Sequence, residues 1–207
     1  MSLYAKYLLP RLIDLAMSSK ATTAERTRLI PLASGVVLEI GAGSALNLPF
    51  YGPGVRKLYA LDPSQELWRL GRGRVRNAPF PIEFLRSSAE SIPVREDTVD
   101  TVVSTWTLCT IPDPTAALAE MRRVLKPQGT LVFIEHGWSP DPRVRAWQER
   151  LNPLWKRVAG GCHLDRQIEQ LIGRAGFQIS TLERGYGEGL KPFVYLYRGL
   201  ARPANQT

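Results

Sequence analysis

Cysteine and histidine are scarce in this sequence. Its 207 residues include two cysteines, Cys109 and Cys162, and two histidines, His136 and His163. Two cysteines cannot form a disulfide framework, so we expect a reduced protein in the cytoplasm rather than a small secreted scaffold. Cys162 and His163, together with Cys109 and His136, are the candidates for a metal site. Neither cysteine lies in a C-x-x-C pair, and adjacent residues such as Cys162 and His163 point in different directions, so we predict no metal site. We interpret both cysteines as small buried hydrophobic residues; a nucleophile pair formed by Cys162 and His163 is the alternative.

Long apolar runs are also missing. A membrane-spanning helix needs about 18 or more consecutive apolar residues, and no such run occurs. The apolar N-terminal stretch is interrupted by Lys6, Pro10, Arg11 and Asp14, and no small-residue cleavage site follows it. We therefore expect neither a transmembrane segment nor a signal peptide.

The sequence does have an ordinary globular composition, with 44% hydrophobic and 22% charged residues. Its length suits one domain with a full hydrophobic core. Lys and Arg number 27 and Asp and Glu number 19, which leaves a net charge of +8. This basic balance is compatible with nucleic acid, an anionic membrane surface or an anionic small molecule as a partner.

Short apolar segments alternate with segments of helical periodicity along most of the chain. Strands are predicted at residues 35–40, 55–61, 82–85, 99–104, 130–135, 177–182 and 193–197, and helices at 3–17, 23–30, 64–77, 111–125, 144–158 and 164–175. The pattern predicts an α/β protein with a Rossmann-like open sheet of about seven strands, mostly parallel with the last strand antiparallel, and helices on both faces. Residues 136–163 are rich in Pro, Arg and Trp and interrupt the alternation. We predict that residues 1–32 and this insertion form a small helical cap on a domain of residues 33–207.

A glycine-rich turn follows the first predicted strand, and an acidic residue follows the second. Gly41 and Gly43 give a backbone that a ligand can approach closely, and Asp62 can accept hydrogen bonds from a ribose. A dinucleotide-binding turn would need a small residue at position 46, where this chain has Leu46, and a longer helix than Pro49 allows. The pattern therefore favours a nucleoside without phosphate groups, such as S-adenosylmethionine.

Several segments occur in the order found in one large enzyme family. They are Val37–Ser44 (VLEIGAGS), Leu61–Ser64 (LDPS), Ser88–Pro93 (SAESIP), Asp100–Ser104 (DTVVS) and Met121–Gly129 (MRRVLKPQG). On these segments the chain resembles the class I S-adenosylmethionine-dependent methyltransferases, in particular the type 11 group. A second set is similar to a subgroup that includes animal thiol S-methyltransferases, namely Thr107–Cys109, Glu135–His136, Trp147–Gln148, Pro153–Lys156 and Gly160–Leu164.

The resemblance implies S-adenosyl-L-methionine as the cofactor and a set of residues that bind it. These are Glu39, Gly41, Ala42, Gly43, Asn47, Asp62, Pro63, Ser88, Ala89, Glu90 and Thr105. Two positions depart from the common family pattern: Ala45 replaces a glycine, and Ser88 replaces an aspartate beside the adenine. We expect cofactor binding to survive both changes. From the residues alone, Asp62 could instead cap a helix, and Glu39 could be a solvated carboxylate at a strand end.

The methyl acceptor is expected outside the carboxyl ends of the strands, where ligands of open α/β sheets bind. His136, as a general base, Glu135 and Cys109 are the catalytic candidates. The predicted substrate cap consists of Tyr4, Tyr7, Trp106, Trp147, Trp155, Cys162 and His163. A histidine at a strand end can equally be structural, and each aromatic residue can simply belong to the core.

The sequence therefore predicts a methyltransferase acting on a small apolar molecule, with a thiol favoured by the subgroup resemblance. Nucleic acid is not the expected partner, although arginines at 69, 72, 74, 76, 143, 145, 150 and 157 keep an RNA methyltransferase as the main alternative. A module that binds the cofactor without turnover is the second alternative. The basic amphipathic N-terminus would also suit peripheral membrane docking. No feature of the sequence indicates the oligomeric state.

Overall fold

The computed structural model describes residues 8–204 and contains one seven-stranded sheet. The strands are β1 (Gly35–Ile40), β2 (Val55–Leu61), β3 (Ile82–Leu85), β4 (Val99–Thr105), β5 (Leu125–His136), β6 (Phe177–Tyr186) and β7 (Tyr195–Pro203). Their order across the sheet is β3-β2-β1-β4-β5-β7-β6. The sheet is open, since β3 and β6 are its two edges.

Strand direction follows the prediction. β1 pairs in parallel with β2 and β4, and β4 pairs in parallel with β5. β7 is antiparallel to both of its neighbours, β5 and β6, so the last strand is the reversed one. The predicted α/β class, the mostly parallel open sheet and the antiparallel last strand are confirmed.

Helices cover both faces of the sheet. They are α1 (Leu9–Met17), α2 (Lys20–Leu29), α3 (Gln65–Leu70), α4 (Arg72–Arg76), α5 (Pro114–Val124), α6 (Pro142–Val158) and α7 (Ile168–Arg174). Alternate residues of the central strands face opposite sides of the sheet. On one side Leu38 and Val102 pack in a core with residues of α5 and α7, and on the other side Val37 and Val103 pack in a second core. These strands are buried on both faces, which explains why their sequences read as continuous apolar runs.

One predicted helix is divided in the structure. The segment 64–77 forms α3 and α4, because Gly71 ends the first helix and begins the second. A Cβ atom built on Gly71 would lie 2.5 Å from the Ser44 carbonyl oxygen, so only glycine lets this segment pack against the turn after β1. β5 also begins earlier than predicted, at Leu125, and β7 begins later, at Tyr195.

The N-terminal helices contact the domain near the turn after β1. Arg74 Nη1 lies 3.4 Å from Asp14 Oδ1 of α1, and Arg198 of β7 forms an ion pair of 2.6 Å with Glu25 of α2. A Cβ atom at Gly160, beyond α6, would lie 3.6 Å from Ile13 Cδ1. The helical cap of residues 1–32 and the insertion stays a prediction. Among residues 8–204, no helix has both the length and the apolarity needed to cross a membrane.

Candidate active site

The glycine turn lies at the carboxyl end of β1, the strand with β2 on one side and β4 on the other. In open α/β sheets ligands bind at such a switch in strand order. Gly41 and Gly43 have φ angles of 68° and 51°. The amides of Gly41 and Ala42 both donate to the Leu61 carbonyl oxygen, at 2.8 and 3.0 Å, so the turn is fastened to the end of β2.

Asp62 connects this turn to the start of α3. Its Oδ2 accepts a hydrogen bond of 2.8 Å from the Gly43 amide, and its Oδ1 accepts one of 2.7 Å from the Ser64 amide. The cap of α3 itself is Ser64, whose Oγ accepts from the Leu67 amide. Burial raises the pKa of the Asp62 carboxyl, and hydrogen bonds from the Ser64 and Gly43 amides oppose that shift. Asp62 is therefore not the residue that caps α3, and its carboxylate instead joins the start of that helix to Gly43.

The Asp62 carboxylate has capacity for further hydrogen bonds. Each carboxylate oxygen can accept about two, and in this structure each accepts one from the backbone. The space beside Gly43 is also open, since a Cβ atom there would have no atom nearer than 3.8 Å. An accepting carboxylate beside uncovered backbone suits the hydroxyl groups of a ribose, so these residues fit the implied cofactor.

Glu39 is buried at the end of β1, and each of its carboxylate oxygens accepts one hydrogen bond. Its Oε1 accepts a bond of 2.8 Å from Asn47 Nδ2, and its Oε2 accepts one of 2.9 Å from the Tyr51 hydroxyl. Asn47 Nδ2 also donates to Thr105 Oγ1 at 3.0 Å. Burial raises the pKa of the Glu39 carboxyl from 4.5 to about 7, despite the hydrogen bonds from Tyr51 and Asn47. The alternative of a solvated strand-end carboxylate is wrong, because Glu39 is only 2% exposed.

Arg26 of α2 joins the same network and was not singled out from the sequence. Its Nε donates to Asn47 Oδ1 at 2.9 Å, and its Nη1 donates to the Met17 carbonyl oxygen at 2.7 Å. Burial lowers the pKa of the Arg26 guanidinium to about 10. The guanidinium also lies 4.9 Å from the centre of the Trp106 ring. No local pattern marks Arg26 or Tyr51, since their partners are far away in the sequence.

The residues expected at the adenine lie at the end of β3. Ser88 Oγ donates to Glu90 Oε2, and Glu90 Oε1 accepts from the Asp113 amide at 3.2 Å. Ala89 is buried, whereas Ser88 and Pro63 are exposed. Ser88 is therefore exposed at the rim, in the place where the family commonly has a carboxylate, but its hydroxyl is hydrogen-bonded to Glu90 in this structure.

Glu135 is completely buried and supports the turn after β4. Its Oε1 accepts from Ser104 Oγ at 2.7 Å and from the Thr107 amide at 3.1 Å, and its Oε2 accepts from the Cys109 amide at 3.3 Å. Burial raises the pKa of this carboxyl. Glu135 was expected among the catalytic residues, but this geometry makes it a positioning residue that holds residues 104–109.

Trp106 and His136 line one cavity of about 360 Å³ between α2 and the start of β7, together with Thr22, Glu25 and Leu196. Trp106 has a φ angle of 52°, which is uncommon for a large side chain and costs about 1–2 kcal/mol. Its amide donates to the Ile134 carbonyl oxygen at 2.7 Å. The structure therefore brings together the two candidates that follow β4 and β5.

Cys109, Cys162 and His136 also meet, although they are distant in the sequence. The two Sγ atoms are 3.5 Å apart, and Cys162 Sγ lies 3.8 Å from His136 Nδ1. The hydrogen bond with Cys109 lowers the pKa of the Cys162 thiol, and the same bond raises that of Cys109. His163 does not join them: its Nδ1 faces Asp165 Oδ1 at 3.5 Å. The alternative of a nucleophile pair formed by Cys162 and His163 gains no support from this arrangement.

The remaining aromatic candidates are dispersed. Trp147 is 55% exposed on α6, so it does not form a wall of the cavity that Trp106 and His136 line. Trp155 packs on Phe193, with ring centres 4.6 Å apart. α6 instead buries Val144, Gln148 and Asn152, which occupy one helical face at intervals of four residues. Tyr4 and Tyr7 lie outside the described residues.

The sequence of this chain is similar to those of known methyltransferases. A family model described as a methyltransferase domain matches residues 38–133. The chain is 35% identical to thiol S-methyltransferase TMT1B of Rattus norvegicus over 71% of its own length and 62% of the rat protein. It is 31% identical to thiol S-methyltransferase TMT1A of Homo sapiens, covering 78% of this chain and 69% of that protein.

Solved structures agree on the fold. The crystal structure of an SAM-dependent methyltransferase from Methanosarcina mazei superposes with a TM-score of 0.64 at 21% sequence identity, covering 83% of this chain and 93% of that one. The chain spans less than two thirds of the length of the rat relative, since the match covers 62% of it.

Proposed function

The chain belongs to the S-adenosylmethionine-dependent methyltransferases, and from that premise we propose that it methylates the sulfur atom of a small apolar thiol. The observation that carries the proposal is the buried Asp62 carboxylate, tied to Gly43 at the switch in strand order. Asp62 would accept hydrogen bonds from the ribose hydroxyls, and the open backbone at Gly43 would lie against the nucleoside. Ser88 and Ala89 would border the adenine.

The bound cofactor supplies an activated methyl group, so the chain has to orient an acceptor and exclude water. Glu39, Asn47 and Arg26 form a buried network that keeps the turn after β1 in one conformation. Glu135 does the same for the turn after β4. These two turns meet at the edge of the sheet where methyl transfer would take place.

The cavity between α2 and β7 supports a small acceptor with apolar character. Trp106, Val194 and Leu196 contribute apolar surface, and a volume of about 360 Å³ admits a small molecule. A thiol has a pKa near 8.5, so a fraction is already ionised at neutral pH and no residue is obliged to act as a base. The role of His136 as a proton acceptor stays a prediction.

The thiol itself is inferred from the relatives, which are named thiol S-methyltransferases. We also propose a reducing, cytoplasmic environment, because two cysteines cannot form a disulfide framework. We do not propose nucleic acid as a partner, because the relatives are named for a thiol acceptor. Of the arginines of α3 and α4, Arg74 is engaged within the protein, where it donates to the Ser44 carbonyl oxygen at 2.9 Å.

Methyl transfer from labelled S-adenosylmethionine to a panel of thiols, phenols, amines and short RNAs tests this proposal. We expect the apolar thiols to give thioether product and the rate to change little with salt. Preferential labelling of RNA, with a steep loss of activity at higher salt, would replace the proposal by the nucleic-acid alternative. Cofactor binding without transfer to any member of the panel would support a non-catalytic module.

A further inference from the structure

Three side chains capable of binding a soft metal converge at the edge of the cavity. Cys109 lies in the turn after β4, His136 is the last residue of β5, and Cys162 follows α6. One ligating atom from each, the two Sγ atoms and an imidazole nitrogen, lie within 4.8 Å of one another. Both cysteines are buried, and His136 is half-buried.

Two of the three separations are close to those around a tetrahedral zinc ion, and the third, between Cys109 and His136, lies within 4.8 Å. Zinc binds cysteine sulfur at about 2.3 Å and histidine nitrogen at about 2.0–2.1 Å, so tetrahedral angles place neighbouring ligand atoms roughly 3.5–3.8 Å apart. The Cys109 and Cys162 sulfurs are 3.5 Å apart, and the Cys162 sulfur is 3.8 Å from His136 Nδ1. We propose that Cys109, Cys162 and His136 bind one zinc ion and leave its fourth coordination position open.

The backbone holds the three ligands in place. The His163 amide donates to the Cys109 carbonyl oxygen at 2.7 Å, which joins the loop after α6 to the turn after β4. Gly160 and Gly161, with φ angles of 64° and 93°, turn the chain so that Cys162 faces inward. His136 pairs with Leu196 in the register of β5 and β7. The site would therefore need little rearrangement to accept a metal.

Polar contacts also hold the backbone on both sides of Cys109. Its amide donates to Glu135 Oε2, and the guanidinium of Arg166 donates to the Leu108 and Ile111 carbonyl oxygens on either side. Two thiolates neutralise the charge of a divalent zinc ion, and the opposite charges of Glu135 and Arg166 offset one another. Binding would release the two thiol protons to solvent.

The simpler interpretation of two buried hydrophobic cysteines explains their burial but not the imidazole directed at Cys162. A disulfide is the other chemical possibility for the pair, because 3.5 Å is a non-bonded separation that a modest shift could close. If zinc is bound through Nδ1, His136 is a metal ligand and not the proton acceptor suggested by its position in the sequence. Because His136 lines the cavity, an ion could reach the cluster from solvent through that cavity.

Metal content of the full chain, purified with reductant, tests the site. We expect one zinc per chain, and we expect the Co²⁺ form to show sulfur-to-cobalt charge-transfer absorption. Cys109→Ser and Cys162→Ser should each weaken zinc binding roughly 100-fold or more and reduce the charge-transfer intensity. His163→Gln is the matched control, since this neighbouring histidine faces Asp165, and it should retain zinc and the spectrum.

A measurement on the unmodified chain guards against variants that fail to fold. Zinc should slow alkylation of both cysteines, as followed by peptide mass spectrometry, whereas Mg²⁺ should not. The proposal is overturned if the reduced chain binds neither Zn²⁺ nor Co²⁺, if zinc leaves alkylation unchanged, or if His163→Gln loses the metal as fully as the cysteine variants. Conversion of the pair to a disulfide in the presence of zinc would also overturn it.

The zinc proposal and the proposed methyltransferase activity can fail separately. Calorimetry with S-adenosylmethionine on the same samples measures the cofactor site through Asp62, which takes no part in the cluster. If the chain binds the cofactor but no zinc, only the zinc proposal is overturned. If it binds zinc but no cofactor, the zinc proposal holds and the proposed methyltransferase activity is overturned.

Discussion

Thr107 occupies the space that a side chain at position 41 would need. A Cβ atom built on Gly41 would lie 2.3 Å from Thr107 Oγ1 and 2.5 Å from Thr107 Cγ2. Thr107 Oγ1 is itself held by hydrogen bonding to the Ile40 and Thr105 carbonyl oxygens, at 3.1 and 3.0 Å. The turn after β1 and the turn after β4 are therefore in direct contact, and that contact requires glycine.

Gly41→Ala is expected to lower the free energy of unfolding by roughly 2–4 kcal/mol, because left-handed strain adds to the overlap with Thr107. Gly43→Ala is the matched control: its φ angle is also positive, but the space beside it is open. It should cost only about 1–2 kcal/mol. Urea denaturation followed by circular dichroism measures both, and equal losses would show that Thr107 imposes no constraint.

Asp62→Ala should weaken binding of S-adenosylmethionine by about 1.5–3 kcal/mol, the range for removing hydrogen bonds to a charged group. Calorimetry gives the dissociation constant directly. Asp141→Ala is a suitable control, because Asp141 caps α6 by accepting from the Arg143 amide and is remote from the glycine turn in the sequence. An unchanged dissociation constant for Asp62→Ala, with stability lowered as in the control, would assign Asp62 a structural role alone.

Glu39 should make folding stability depend on pH in a defined window. Its pKa in the folded protein is about 7 against an ordinary value of 4.5, so folding takes up a proton between these pH values. The contribution of Glu39 to stability is then greatest below pH 4.5, falls as pH rises through the window, and is smaller by a few kcal/mol at about pH 7. Glu39→Gln should flatten that fall in thermal or urea unfolding, whereas Glu96→Gln, which removes an exposed carboxylate, should leave it in place.

Glu135→Gln separates a positioning role from a catalytic one. Glutamine has a single acceptor oxygen, so the amides of Thr107 and Cys109 and the Ser104 hydroxyl cannot all keep their partner. We expect stability to fall by about 1–3 kcal/mol and activity to fall with it. A variant as stable as the parent chain, but inactive when saturated with cofactor and acceptor, would instead place Glu135 in direct contact with substrate.

The architecture of this protein could be inferred from its sequence. Continuous apolar runs such as Leu131–Ile134 mark strands buried on both faces, and the glycine turn with Asp62 marks the ligand edge, because each signal is local. Cofactor-side candidates such as Gly43 and Asp62 could be named from the sequence, since they lie within motifs that keep a constant order along the chain; their contact with the cofactor stays a prediction.

Contacts between distant segments were decided only by the tertiary structure. Arg26 meets Asn47 across 21 residues, and Cys162 meets Cys109 across 53, so no local spacing signals either contact. Burial likewise converts Glu135 from an apparent catalytic carboxylate into a support for the turn after β4. Hydrogen bonding and burial of this kind depend on which surfaces the sheet brings together, which is a property of packing and not of residue order.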